Sequence, residues 1–154
     1  MKKSGSSMQP TRAADYAIRA LIHMAALPAG NRVMLPELAA ATAAPETFLS
    51  KVLQALCRAG MVFSRRGKSG GFEILPKGRQ ATLSSVIAAV DSPIRLNACL
   101  VSGDSCDRKD ECPAHRVWVK AQSAMLQALD EKTVADLAAD VLSSNGKGNR
   151  NPAV

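Results

Sequence analysis

The chain has 154 residues, 47 % apolar and only 3 % aromatic, with a formal net charge of +7. That is enough for one domain, or two small ones, with an aliphatic core and no need of disulfide staples. No apolar run approaches the ~20 residues of a membrane span. Residues 1–7 carry two lysines but no apolar stretch of a secretory signal, which argues against an exported protein, and with four cysteines a reducing cytoplasm is expected.

Residues 1–10 are small, polar and basic and are expected to be disordered. Ala14, Ala17, Ile18, Leu21, Ile22 and Ala25 then recur at helical spacing and predict a helix over 13–27, stopped by Pro28-Ala-Gly-Asn31. A short helix over 36–42 opens on Pro36. After the turn Ala43-Ala-Pro45 a third helix starts at Glu46 or Thr47 and runs to Ala59, with Gly60 closing it. Met61 to Phe63 and Phe72 to Leu75 read as two strands joined by the basic, glycine-rich loop 64–71. Another helix spans 84–90, and 91–110 is irregular. Pro113 opens a long helix to Leu129, a last helix covers 133–142, and the Gly- and Asn-rich tail from Ser143 is expected to be loose.

Helix, helix, turn, helix and a two-stranded basic loop is the order of a winged helix-turn-helix, so the fold class is mainly α with a two-stranded wing. The expected organisation is a disordered extension (1–10), a DNA-binding domain (11–92), a region of cysteine loop and helices (93–142) and a loose tail (143–154).

The charge follows that organisation. Up to Asp91 there are 12 Lys/Arg against 5 Asp/Glu, while from Pro93 onward there are 8 of each. The excess cation therefore belongs to the part expected to meet a polyanion. On helix 46–59, Leu49, Val52, Leu53, Leu56 and Cys57 share one stripe, expected to face the core. Thr47, Ser50, Lys51, Gln54 and Arg58 share the other. Those five can reach base edges or phosphates, although any soluble helix has a solvated polar face. The wing decides between these readings. Arg65, Arg66, Lys68 and Ser69 sit among Gly67, Gly70 and Gly71, so backbone and cations can approach a phosphate together.

The second constellation is Cys99-x6-Cys106-x5-Cys112, with His115 three residues later. Three thiols cannot all pair off, and Cys57 is expected to be buried as a small hydrophobe. No tight C-x2–4-C knuckle of a zinc module is present. Longer spacings between thiolates suit an iron–sulfur cluster better. Two residues compete as fourth ligand: His115, one turn into the long helix, and Asp15, near the start of the first helix, where an acid otherwise complements the helix dipole. No paired catalytic carboxylates and no nucleophile–base set are present, which argues against an enzyme, and His23 is expected to pack along the first helix.

Four segments carry a resemblance: Ala14-Asp-Tyr-Ala-Ile-Arg-Ala-Leu21, Leu56-Cys-Arg-Ala-Gly-Met-Val62, Arg66-Gly-Lys-Ser-Gly-Gly71 and the cysteine triad. The chain resembles the Rrf2 family of bacterial winged-helix regulators over about residues 8 to 141. Met8 looks like the usual family start, which makes 1–7 an extension. The resemblance implies a homodimer joined through helix 113–129, reading a palindromic operator in double-stranded DNA. It also implies ligation of a cluster by Cys99, Cys106 and Cys112. The first helix looks closer to the nitric-oxide-sensing branch, where an Asp matching Asp15 completes a 4Fe–4S cluster from the other subunit. A branch that senses cluster status uses a His matching His115 on a 2Fe–2S cluster. The expected function is an iron–sulfur-dependent regulator, a repressor, sensing nitric oxide, redox or cluster status, with no small-molecule substrate. A cluster-free regulator responding through thiols or a partner protein, and an iron–sulfur electron carrier, are the alternatives.

Overall fold

The computed structural model describes residues 10–100, 107–108 and 110–147. The expected disorder of the amino terminus falls outside these residues, apart from Pro10. Seven α-helices and two strands follow in the order α1 (Arg12–Ala26), α2 (Leu35–Thr42), α3 (Glu46–Arg58), β1 (Val62–Arg65), β2 (Gly71–Ile74), α4 (Pro76–Arg79), α5 (Leu83–Val90), α6 (Pro113–Leu129) and α7 (Val134–Lys147). Between α5 and α6 a 3-10 turn spans Ala98–Leu100. This is the expected winged helix-turn-helix followed by a long helix.

Each helix has a visible local cause. Thr11 caps α1, accepting from the Ala14 N–H at 3.4 Å, and its hydroxyl donates to Asp91 at the end of α5. The α2–α3 turn pivots on Ala43, whose φ of 53° is left-handed, while the Ala44 N–H closes onto Ala39 O at 3.0 Å. Thr42 beside it is buried and donates to Leu38 O at 2.7 Å. Thr82 and Ser85 form a reciprocal capping box at the start of α5.

Leu21, Leu38, Leu49, Leu53, Leu56, Val33, Val86 and Val134 are fully buried and form one core. Val134 and Ala138 place α7 in that core, where it packs on α1. Helix α7, grouped by sequence with the long helix in 93–142, folds back onto α1 of the winged head. The return is fixed by the Val134 N–H donating to Ala81 O at 2.8 Å and by the Thr82–Thr133 bridge. Helix α6 is thus an excursion between α5 and α7.

Three further points differ from expectation. Helix α4 was not foreseen, being four residues long and opened by Pro76. Helix α7 continues to Lys147 rather than ending at Leu142; its turns are sustained past Ser143, and Ser144 Oγ donates to Asp140 O at 2.8 Å. Cys57 is half-buried rather than sealed in the core. At ~100° per residue it lies about 80° from Leu49 around α3, at the margin where the apolar stripe meets the polar one. Among the described residues no helix is long and apolar enough to cross a membrane.

Candidate nucleic-acid interface and cysteine loop

Helix α3 buries Leu49, Val52, Leu53 and Leu56 and leaves Thr47, Lys51, Gln54 and Arg58 exposed, with Ser50 half-buried. Phe48, which the sequence reading left unassigned, stands among them. It is 39 % exposed and meets Tyr16 of α1 edge-on, with ring centroids 5.7 Å apart.

The wing stands beside this face. β1 and β2 pair antiparallel from Val62↔Ile74 to Arg65↔Gly71, and the Gly70 N–H closes the tip onto Gly67 O at 2.9 Å. Arg65, Arg66, Lys68 and Ser69 are all exposed. Glycine is required at the tip for close approach: a Cβ on Gly70 would lie 2.2 Å from Arg65 O and 2.8 Å from Gly67 O. A cleft of about 440 Å³ runs between helix and wing, lined by Ser50, Gln54, Arg58, Ser64 and Arg66, with Cys57 and Phe72. Of the expected reading residues, Ser50, Gln54 and Arg58 of α3 and Arg66 of the wing line this one groove, whereas Thr47, Lys51, Arg65, Lys68 and Ser69 are not part of its lining. Burial pushes the Cys57 thiol pKa up, with the neighbouring Arg58 charge opposing it.

Not every cation of the amino-terminal excess serves that groove. Arg79 donates to Ala25 O (3.0 Å) and Leu27 O (3.2 Å), and Lys77 to Ala59 O (2.7 Å), so the short α4 delivers two caps to the carboxyl ends of α1 and α3. Arg19 pairs with Asp15 at 2.9 Å and reaches Thr42 O. Arg32, also unforeseen, holds the wing: it donates to Ser69 O at 3.2 Å and faces Glu73 at 3.5 Å. Just beyond it Val33 and Phe72 exchange two backbone hydrogen bonds of 2.9 and 2.8 Å. The residue types alone did not separate these buttresses from the reading cations.

The cysteine region is built on α6. Cys99 lies in the 3-10 turn, which packs on α6, and Cys112 is the residue that caps the start of that helix. Both thiols are half-buried and free; Cys106 lies outside the described residues. The His115 N–H closes the first turn onto Cys112 O at 3.1 Å, and its Nδ1 is buried without a hydrogen-bond partner among the described residues. His23 Nε2 is likewise buried and unpartnered. Asp15 is exposed and engaged by Arg19 on α1, a helix that packs on α2, α3, α5 and α7. Among the described residues no three His, Cys, Asp or Glu side chains converge on one point. The donor types still fit a soft metal group: two free thiols at the two ends of the loop, and one imidazole nitrogen, unpartnered among the described residues, three positions after the second.

A family model described as "Rrf2: Iron-dependent Transcriptional regulator" matches residues 10–140. The chain belongs to the Rrf2 family. An HTH-type transcriptional regulator of Mycobacterium tuberculosis (strain H37Rv) is 30 % identical over 135 residues, covering 88 % of this chain and 84 % of the relative. Among solved structures, CymR, the global cysteine regulator of B. subtilis, superposes with a TM-score of 0.69 at 25 % identity, covering 86 % of this chain and 97 % of its own. IscR of T. potens has the same fold, with a TM-score of 0.67, 19 % identity and coverage of 94 % and 93 %. This Rrf2 protein is thus a winged-helix transcriptional regulator rather than an enzyme.

Proposed function

We propose that this Rrf2 regulator is a homodimeric repressor whose grip on a palindromic operator is set by an iron–sulfur cluster on its cysteine loop. The observation that carries the reading is the placement of two half-buried thiols on one helix: Cys99 in the 3-10 turn that packs on α6, and Cys112 at the start of α6. Cys99, Cys106 and Cys112 would hold the cluster. His115 is favoured as fourth donor, because its Nδ1 is already buried and free, whereas Asp15 would have to leave Arg19. When bound, such a cluster supplies iron–thiolate bonds that oxidation or nitrosylation can alter.

The chain's own residues do the rest. Thr47, Ser50, Lys51, Gln54 and Arg58 enter the major groove, while Arg65, Arg66 and Lys68 neutralise phosphates. The side of α6 carrying Val117, which is 68 % exposed, meets a second copy. A change in the loop then alters how two heads are spaced. A coupling of roughly 1–3 kcal/mol would give a 5–150-fold switch.

Likeness to the cysteine regulator CymR supports a second reading, in which the same loop acts without a cluster, through its thiols or a partner protein. Anaerobic purification separates the two. A brown protein with iron and acid-labile sulfide, whose colour is lost in Cys106→Ala, supports the cluster. A colourless, iron-free protein that still changes its operator affinity on thiol oxidation supports the alternative.

A further inference from the structure

Gln122 stands apart on α6. It is 7 % exposed and is the buried residue of a helix that otherwise rests lightly on its neighbours. Both ends of its amide are used on one stretch of backbone: Nε2 donates to Ile94 O at 2.6 Å, and Oε1 accepts from the Leu96 N–H at 2.9 Å. An apolar side chain there would fill the space without fixing register. Two oppositely directed hydrogen bonds to one segment forbid both sliding and rotation along the helix.

The clamp closes a ring running from Ile94 through Cys99 and Cys112 to Gln122. The segment leaving the ring at 91–93 enters α5, which packs on α1 and α3 of the reading head. At its far end α6 is tied separately, where Ser84 donates to Asp130 and α7 begins. Any bonding that draws the two ends of the cysteine loop together must be absorbed within that ring. The clamp keeps 94–96 from slipping along α6, so the change passes to the angle between α6 and α5.

We propose that Gln122 is the positioning residue through which the state of the cysteine loop reaches the DNA-reading head. This rests on the reading above that the loop controls operator affinity. The test is a double-mutant cycle of wild type, Cys99→Ala, Gln122→Leu and the double variant. Each is reconstituted anaerobically with ferrous iron and sulfide and titrated on an operator selected from a random duplex pool. Cys99→Ala is expected to shift affinity about five-fold or more in the wild-type background. In the Gln122→Leu background the shift is expected to fall below about two-fold, the range of independent sites.

Equal shifts in both backgrounds overturn the role of Gln122 while leaving the cysteine loop as the controller. No shift in the wild-type background overturns the control by the loop, and this inference with it. Hydrogen exchange supplies a reading separate from DNA affinity. The Leu96 amide should be protected in wild type and exposed in Gln122→Leu, with the Leu53 amide unchanged. Rapid Leu96 exchange in wild type sinks the clamp. Should the leucine variant not fold, Gln122→Glu, which keeps the acceptor but loses the donor to Ile94 O, serves in the same cycle.

Discussion

The winged head and the long helix α6 are built on opposite terms. In the head, α1, α2, α3, α5 and α7 bury their apolar faces against one another, so that Leu21, Leu49, Leu53 and Leu56 have no exposure at all. In α6, by contrast, the residue that is buried is a glutamine, while Val117 and Val119 stand in the open. The head is therefore stable on its own packing and presents a fixed groove. The arm is held by a few polar ties, and among the described residues nothing covers Val117. A rigid reader joined to a lightly tethered arm is the arrangement a switch needs.

The largest effect that tests this contrast should come from the head's core. Leu53→Ala is expected to cost about 2–5 kcal/mol, because it leaves a cavity that the surrounding core fills only in part. Thermal unfolding should show a fall of many degrees. Ala substitution of the exposed Val119 should leave the midpoint nearly in place; an equal fall would mean that α6 belongs to the same core.

The second effect concerns the groove. Replacing Arg65, Arg66 and Lys68 together with Ala should leave folding intact but weaken operator binding. The slope of log affinity against log salt should drop by roughly 0.9 for each phosphate that is no longer neutralised. An unchanged slope would take the wing off the duplex.

A third, smaller change should touch only the arm. Val117→Asp is expected to shift sedimentation from dimer towards monomer and to loosen the operator complex, with the unfolding midpoint of the head preserved. Persistent dimers would place the interface elsewhere.

The smallest effect concerns the far tie of α6. The Ser84 hydroxyl, followed by Thr82, holds the Asp130 carboxyl below the usual aspartate pKa. A depressed folded-state pKa contributes stability above the unfolded value of about 3.9, and that contribution is lost as pH falls through the folded value. Ser84→Ala should thus be slightly less stable than wild type at neutral pH, and the gap should close in acid. A gap that widens as pH falls would contradict the assignment.

The head was legible in the sequence because its elements are set locally. The apolar spacing of α1 and α3, Pro36 opening α2, and the glycines of the wing each fix their own segment. What escaped was set by tertiary contact. Lys77 and Arg79 are only part of the cationic excess in the sequence, and it is α4 that turns them onto the carbonyl ends of α3 and α1. Arg32 looks like a loop residue until the wing lies beside it. Cys57 fell on the margin of its helical stripe, where periodicity cannot say whether a side chain is sealed. Gln122 had no signal at all, since a polar residue in an amphipathic helix reads as solvent-facing, and its backbone partners lie 26 and 28 residues away. The three cysteines were conspicuous, but their partners depend on how the loop closes, which spacing alone does not dictate.

The measurement that bears most directly on the central claim is one operator titration. Anaerobic, iron- and sulfide-reconstituted wild type is compared with Cys106→Ser in the same buffer and salt. Affinities that differ by about five-fold or more, in either direction, are what a controlling cysteine loop requires. Superimposable curves would contradict it and leave a winged reader whose thiols have no say in what it binds.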